Sequence, residues 1–230
     1  MKEETSASAL SKELFGVGAH FGYSRTRRHP SVAKYLFGTK NKVDIIDIEH
    51  TEAQLIEAAN YMQKLGQKGK IVVLVGTKPE AKESTRIAAE GLDLPFVTSR
   101  WVGGILTNFP EIKKRLNRLE ELRAAKISGD LQKKYTKKEQ LLIAREVAKM
   151  EELFSGIVPL KGLPEALLIV DPKKEQNAVL EAKRLGITTI GIGSTDTDIT
   201  DVTYPILAND ASRASIAFIV KFLADAYKQQ

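Results

Sequence analysis

Two uninterrupted apolar runs, Ile71-Val72-Val73-Leu74-Val75 and Ala166-Leu167-Leu168-Ile169-Val170, constrain this chain more than any other feature. A strand with one face in water alternates polar and apolar side chains. A run with no polar position must be covered on both faces, which is the habit of parallel strands in α/β sheets. Each run stops at a turn, Gly76-Thr77-Lys78-Pro79 or Asp171-Pro172, and a helical pattern follows each turn.

The rest of the chain repeats that rhythm. A short amphipathic helix is expected over 6–15, with Leu10 and Leu14 on one face, and a strand at Val43-Asp44-Ile45-Ile46-Asp47-Ile48. The capping box Thr51-Glu52-Ala53-Gln54 predicts the start of a helix that carries Leu55, Ala59 and Met62 inward and ends at Gly66 and Gly69. Further helices are expected over 79–91, over about 175–185 with Gly186 as the stop, and over 211–227. Between them, Leu94-Pro95-Phe96-Val97 reads as an edge strand, 187–192 as a buried strand and Ile206-Leu207 as a short one. Four or five strands alternating with helices predict one α/β domain with a doubly wound, mostly parallel sheet.

One stretch breaks the rhythm. From Asn108-Phe109-Pro110-Glu111 onward, Ile112, Leu116 and Leu119 form one narrow stripe, and Ser128-Gly129-Asp130 interrupts it. The capping box Thr136-Lys137-Lys138-Glu139 restarts a helix carrying Ile143, Val147, Met150 and Phe154. Stripes this narrow suit an antiparallel two-helix coiled coil better than helices on a sheet, though two ordinary surface helices remain the alternative. Residues 109–154 are therefore expected to form a protruding helical hairpin, inserted into a discontinuous domain of 1–108 and 155–230.

Charge narrows the function. The net charge is +6, and the window 16–42 holds Arg25, Arg27, Arg28, Lys34, Lys40 and Lys42 with no acid. The remaining 29 Lys and Arg equal the 29 Asp and Glu, so the formal excess can be assigned to this window. Interleaved with His20, Phe21, Tyr23 and His29, it is the electrostatic footprint of a phosphate partner, against the alternative of a solvated cationic loop. There are no cysteines, hence no disulfide and no thiolate metal site. No apolar run approaches the ~20 residues needed to span a bilayer. Met1-Lys2-Glu3-Glu4 with no apolar stretch behind it predicts neither a signal nor a transit peptide.

Catalytic patterns are weak. Gly16-Val17-Gly18-Ala19-His20-Phe21-Gly22 places its third glycine one position late for a dinucleotide fingerprint, and three glycines there instead predict a close backbone approach. Gly76-Thr77-Lys78 lacks the spacing of a phosphate loop. Asp196, Asp198 and Asp201 could bind Mg²⁺, but caps and turns are the simpler role for acids spaced this way. A nucleotide- or Mg²⁺-dependent enzyme on this scaffold is thus the rival reading.

Several runs resemble one family in register. They are Gly18-Ala19-His20-Phe21-Gly22, Arg27-Arg28-His29-Pro30, Tyr35-Leu36-Phe37-Gly38, Val75-Gly76-Thr77-Lys78, Arg100-Trp101-Val102-Gly103-Gly104 through Phe109, Pro164 through Glu175, and Tyr204-Pro205-Ile206 with Asn209-Asp210. Together they resemble the bacterial-type small-subunit ribosomal protein S-two family over roughly 10–227. The chain departs from that family's usual pattern at Ser194–Ile199, at Leu207-Ala208 and at His29, where a Trp is frequent.

The resemblance implies a flavodoxin-like domain with a protruding coiled coil, acting as a structural rRNA-binding constituent of the small subunit rather than an enzyme. It implies neighbouring ribosomal proteins as partners, including the large OB-repeat protein where present, and a ribosome-associated place in the cytoplasm or an organellar stroma or matrix. No cofactor, metal, membrane contact or homo-oligomer is expected. The expected RNA-binding residues are Arg25, Arg27, Arg28, His29, Lys34, Arg100, Trp101, Lys113, Lys114 and Arg115. For Trp101 a packed core position stands as an equal alternative.

Overall fold

A computed structural model describes residues 8–129 and 135–229. It holds five parallel strands and a separate three-stranded antiparallel sheet. The parallel strands are β4 (Val72–Val75), β5 (Phe96–Val97), β6 (Ala166–Val170), β7 (Thr188–Gly193) and β8 (Tyr204–Leu207), in spatial order β5-β4-β6-β7-β8. Numbered by first appearance that order is 2-1-3-4-5, so the direction of winding reverses between β4 and β6. Pro95 lies just outside the edge strand and contributes only its carbonyl, which accepts from Leu74 N at 3.0 Å.

Strand side chains alternate between two helical layers, as a period of two requires. Val72, Leu74, Leu168, Ile190 and Ile206 face a core closed by α2 (Ile48–Gln67), α3 (Lys82–Glu90) and α7 (Arg213–Lys228). Val73, Val75, Leu167 and Ile169 face the other core, which takes Ala178 and Ala182 from α6 (Gln176–Leu185). That second core also takes Ile112 and Leu116 from α4 (Phe109–Ile127) and Phe154 from α5 (Lys137–Phe154). The first turns of α4 and the last of α5 therefore pack on the sheet. Farther out, Leu119, Leu122 and Val147 make a separate cluster between these two helices, and Arg123 Nε meets Glu151 Oε1 at 2.9 Å.

Local signals held at several element ends. Thr136 and Glu139 form the reciprocal cap of α5, and Gly186 ends α6 at φ 68°. The breaker after α4 is seen at Ser128 and Gly129, whereas Asp130 lies outside the described residues. The first helix, α1, spans Ala9–Gly16, with positions 6 and 7 of the expected range outside the described residues.

Other expectations are corrected. The strand expected at 43–48 ends at Ile46 and belongs to the antiparallel sheet, as β3 (Val43–Ile46) between β1 (Phe21–Ser24) and β2 (Leu36–Lys40). Helix α2 starts at Ile48 under Asp47, which accepts from Glu49 N at 3.0 Å. Thr51 is then an interior helical residue, and its hydroxyl donates to Leu207 O at 2.7 Å. Asn108 occupies the cap position of α4 without a side-chain cap bond. At Thr51 it is the fully buried carbonyl at the end of β8 that outcompetes a local cap, since an unmet carbonyl there costs about 1–3 kcal/mol.

The antiparallel sheet sits against the carboxyl ends of the parallel strands. Thr195, after β7, receives Tyr23 N on its Oγ1 at 2.9 Å and His29 N on its carbonyl at 2.8 Å. Asn209, after β8, donates its N–H to Ala19 O at 2.9 Å. Gly22 lies where a Cβ would strike the Thr195 side chain. The close approach expected of the glycine-rich run is thus to the chain's own loop.

Candidate nucleic-acid interface

Two tight turns display the cations of the window 16–42. Arg25–Arg27 form a 3-10 turn after β1. Lys40 precedes, and Lys42 lies in, the two-residue loop between β2 and β3, where Asn41 and Lys42 have φ of 51° and 65°. Positive φ at both loop positions is the type I′ geometry that matches strand twist. Arg25, Arg27, Lys34, Lys40 and Lys42 are all exposed. The Arg27 guanidinium lies 4.5 Å from the Tyr23 ring centroid and meets Asp196 Oδ2 at 3.3 Å; Lys34 Nζ lies 4.7 Å from the Tyr35 ring. The His29 ring Nδ1 is 2.8 Å from Ser31 Oγ and accepts from Ser31 N at 3.3 Å.

Arg28 is different. Its Nε donates to Asp44 Oδ2 at 2.7 Å, and its Nη2 to Asp44 Oδ1 at 2.5 Å and Thr39 Oγ1 at 3.0 Å. Asp44 is fully buried. The Arg28 hydrogen bonds, more than any other contact, hold its carboxyl below the usual carboxylate range. This bidentate pair commits the Arg28 charge inside the fold, whereas Arg25 and Arg27 beside it stay exposed.

Trp101 is a core residue at 4 % exposure, which removes its faces from any stacking partner. Its Nε1 donates to Glu181 Oε1 at 3.1 Å. The same carboxylate accepts from Gly104 N at 2.8 Å, Leu106 N at 3.0 Å, and Thr107 N and Oγ1 both at 3.1 Å. Burial alone would raise the Glu181 pKa, but the donors at Gly104, Thr107, Trp101 and Leu106 outweigh it and hold the carboxyl low. The segment 101–107 therefore wraps an anion supplied by α6. One signal was available: Glu181 falls on the stripe of Ala178 and Ala182, where an apolar residue belongs. Arg100, one residue earlier, is exposed.

Lys113, Lys114 and Arg115 are exposed on the first turns of α4, with Lys114 Nζ 2.5 Å from Glu111 Oε1. Lys114, Arg115, Arg118 and Lys149, together with Glu146, Met150 and Leu153, line a hollow of about 370 Å³.

The winding reversal between β4 and β6, where such folds bind nucleotides, is filled by side chains. Lys78 Nζ lies 3.2 Å from Asp171 Oδ2, 3.3 Å from Asp210 Oδ1 and 3.2 Å from Tyr23 Oη. Burial would lower the Lys78 pKa, but the two carboxylates reverse that and hold it above its ordinary value. Asp210, buried and beside Asp171, is pushed up to about 6. Thr77 donates to Glu175, whose pKa burial raises. Tyr23 and Asp210 were not foreseen in this cluster, because they arrive from distant parts of the chain.

The acidic loop is tied down by the fold's own groups. Asp196 Oδ2 meets Lys173 Nζ at 2.8 Å, Asp198 Oδ1 accepts from Thr200 N at 3.0 Å, and Asp201 Oδ1 meets Lys183 Nζ at 2.5 Å. Among the described residues no cluster of His, Asp and Glu is arranged to hold a metal ion. A separate apolar groove of about 710 Å³ lies between α1 and the antiparallel sheet, lined by Phe15, His20, Phe37, Ile45 and Ile48 among others. Phe15 stacks on the His20 ring at 4.2 Å, and Phe15, Phe21 and Phe37 are all substantially exposed. Among the described residues no helix is long and apolar enough to cross a membrane.

Known proteins match this chain almost end to end. The small ribosomal subunit protein uS2 of Rhodopirellula baltica is 42% identical over 220 residues, spanning 96% of this chain and 84% of that protein. The protein of the same name from Thermus thermophilus is 39% identical over 214 residues, 93% of this chain and 83% of that one. Residues 14–230 match the family described as Ribosomal protein S2, and with the parallel sheet, the turn-borne cations and the Trp101–Phe109 segment in place, the chain belongs to that family.

Proposed function

We propose that this chain is a structural constituent of the small ribosomal subunit that binds rRNA through its basic N-terminal segment and the base of the hairpin. It rests on the family match across 14–230, and the exposed cations of that segment give the chemistry. Arg25, Arg27, Lys34, Lys40 and Lys42 face solvent on turns fixed by β1–β3, so they meet phosphates without a large ordering cost. Arg100, Lys113, Lys114 and Arg115 extend the contact toward the hairpin.

In this reading 1–108 and 155–230 form one α/β domain, and 109–154 projects from it. The chain supports subunit assembly and docks a neighbouring ribosomal protein, including the large OB-repeat protein where present. The groove beside Phe15 and Phe37 suits that docking, because exposed aromatics around an apolar hollow are the composition of protein contacts. The switch-point crevice holds Lys78, Asp171, Asp210 and Tyr23, so a structural role fits it better than a nucleotide enzyme's.

Sedimentation of a tagged copy tests the reading. Co-migration with small subunits, with crosslinks from 25–42 to rRNA, is expected. A protein that stays at the top of the gradient in ribosome-competent cells would overturn it.

A further inference from the structure

We infer that the carboxyl edge of the parallel sheet is one continuous cradle for an RNA sugar-phosphate backbone, joined in the middle by Lys173 and Lys174. This deepens the rRNA-binding reading and rests on it. The β6–α6 turn makes the join. Asp171 has φ 62°, and its carboxylate accepts from Lys174 N at 3.1 Å, so the turn is fixed and not merely exposed. The two lysines then part. Lys173 Nζ reaches Asp196 Oδ2 at 2.8 Å, the same oxygen that Arg27 Nη2 meets at 3.3 Å. Lys174 lines a hollow of about 290 Å³ with Ser99, Arg100, Trp101, Glu175 and Asn177. Two basic groups that are separate in sequence, around Arg27 and at Arg100, are thereby bridged by consecutive residues.

Exposure decides what kind of partner fits. The acids of this edge lie beneath the surface: side-chain exposure is 14% for Asp171, 6% for Asp196 and 1% for Asp210, and Glu175 is buried. The cations lie above them, with 56% exposure for Arg27 and 52% for Lys173, and Lys174 and Arg100 also exposed. Asp198, at 52%, and Asp201, at 37% and paired with Lys183, are the exposed acids that border the edge, around the hollow that His29 and Lys173 line. Between those two acids and Arg100 the edge shows its cations and buries its other acids, which suits a run of phosphates. Asn177, exposed at the hollow, adds an amide able to donate to a phosphate oxygen or accept from a 2′-hydroxyl.

The test is filter binding of purified small-subunit rRNA over a salt series. Wild type, Lys173→Ala/Lys174→Ala and Arg25→Ala/Arg27→Ala are compared, with urea denaturation as the folding control. For two phosphate contacts the Lys173/Lys174 variant should shallow the slope of log K against log salt by about 1.5 units. A photo-crosslinker at position 174 should label rRNA in assembled subunits. An unchanged slope in that variant while the Arg25/Arg27 variant loses slope would overturn the cradle and leave the rRNA reading standing. Unchanged slopes in both would place the RNA surface elsewhere and overturn both.

Discussion

Replacing Glu181 by Gln should destabilise the protein by about 2–4 kcal/mol, although nothing changes in size. Its two oxygens divide five donors: Oε1 takes Trp101 Nε1 and Gly104 N, while Oε2 takes Leu106 N and both Thr107 donors. A Gln amide offers one acceptor oxygen and sets an NH₂ group against the other donors. In either orientation one fully buried donor, the Trp101 indole or the Leu106 amide, is left unmet, which costs about 1–3 kcal/mol. The bonds that survive also lose the charge that roughly doubles their strength.

With an m-value of about 2.5 kcal/mol/M, the urea midpoint should fall by roughly 1 M. Trp101 is the only tryptophan in the chain, so its fluorescence reports on the perturbed segment and on unfolding together. The acid limb supplies an internal check. The Glu181 pKa is lowered by folding from an ordinary 4.5, so its contribution is full above that pH and lost as pH falls through the folded value. The gap between wild type and variant should therefore be constant at neutral pH and close on the acid side. A midpoint drop under about 0.3 M, or a gap that does not depend on pH, would refute the account of Glu181 as the anion around which 101–107 is wound.

Three further outcomes follow from the same geometry. Arg28→Ala should cost about 3 kcal/mol by leaving Asp44 buried and unpaired, whereas Arg25→Ala should stay within about 0.5 kcal/mol; equal effects in urea melts would remove the distinction drawn between them. Lys78→Met should destabilise by a similar few kcal/mol, because Asp171 and Asp210 lose their shared cation; adding Asp210→Asn should restore part of it, and a double variant no better than the single would count against the coupling. Leu122→Asp should speed amide exchange in 119–127 and 137–147 and spare 72–75 and 166–170, since the outer cluster of α4 and α5 is separate from the sheet core; equal acceleration in the strands would show one cooperative unit.

Much of the architecture was legible in local pattern. The two five-residue apolar runs became adjacent central strands, paired from Val72 with Ala166 to Val75 with Ile169. The Thr136–Glu139 box started a helix and Gly186 ended one where expected, because a cap is satisfied within four residues of itself. The exposed cations were legible as well: six bases in 27 positions without an acid cannot all be paired locally, and most of them remain at the surface.

Thr51 marks where local pattern ended. It carries a capping box in sequence, yet it is held inside α2 by the carbonyl of Leu207, which no local pattern reveals. Trp101 was open to either role until Glu181 came within hydrogen-bond reach, and Arg28, read as a phosphate contact, proved to be paired with Asp44. The Lys78 cluster likewise joins Tyr23 of β1 to Asp171 and Asp210 from the loops after β6 and β8. By itself the sequence determined the parallel strands, several helix ends and the excess of positive charge, since these depend on backbone preference and periodicity over a few residues; it did not determine β1, β2 or the start of α2. Only the tertiary structure decided which charges are free, because a buried carboxylate takes as its partner whichever donor the winding of the sheet brings to it.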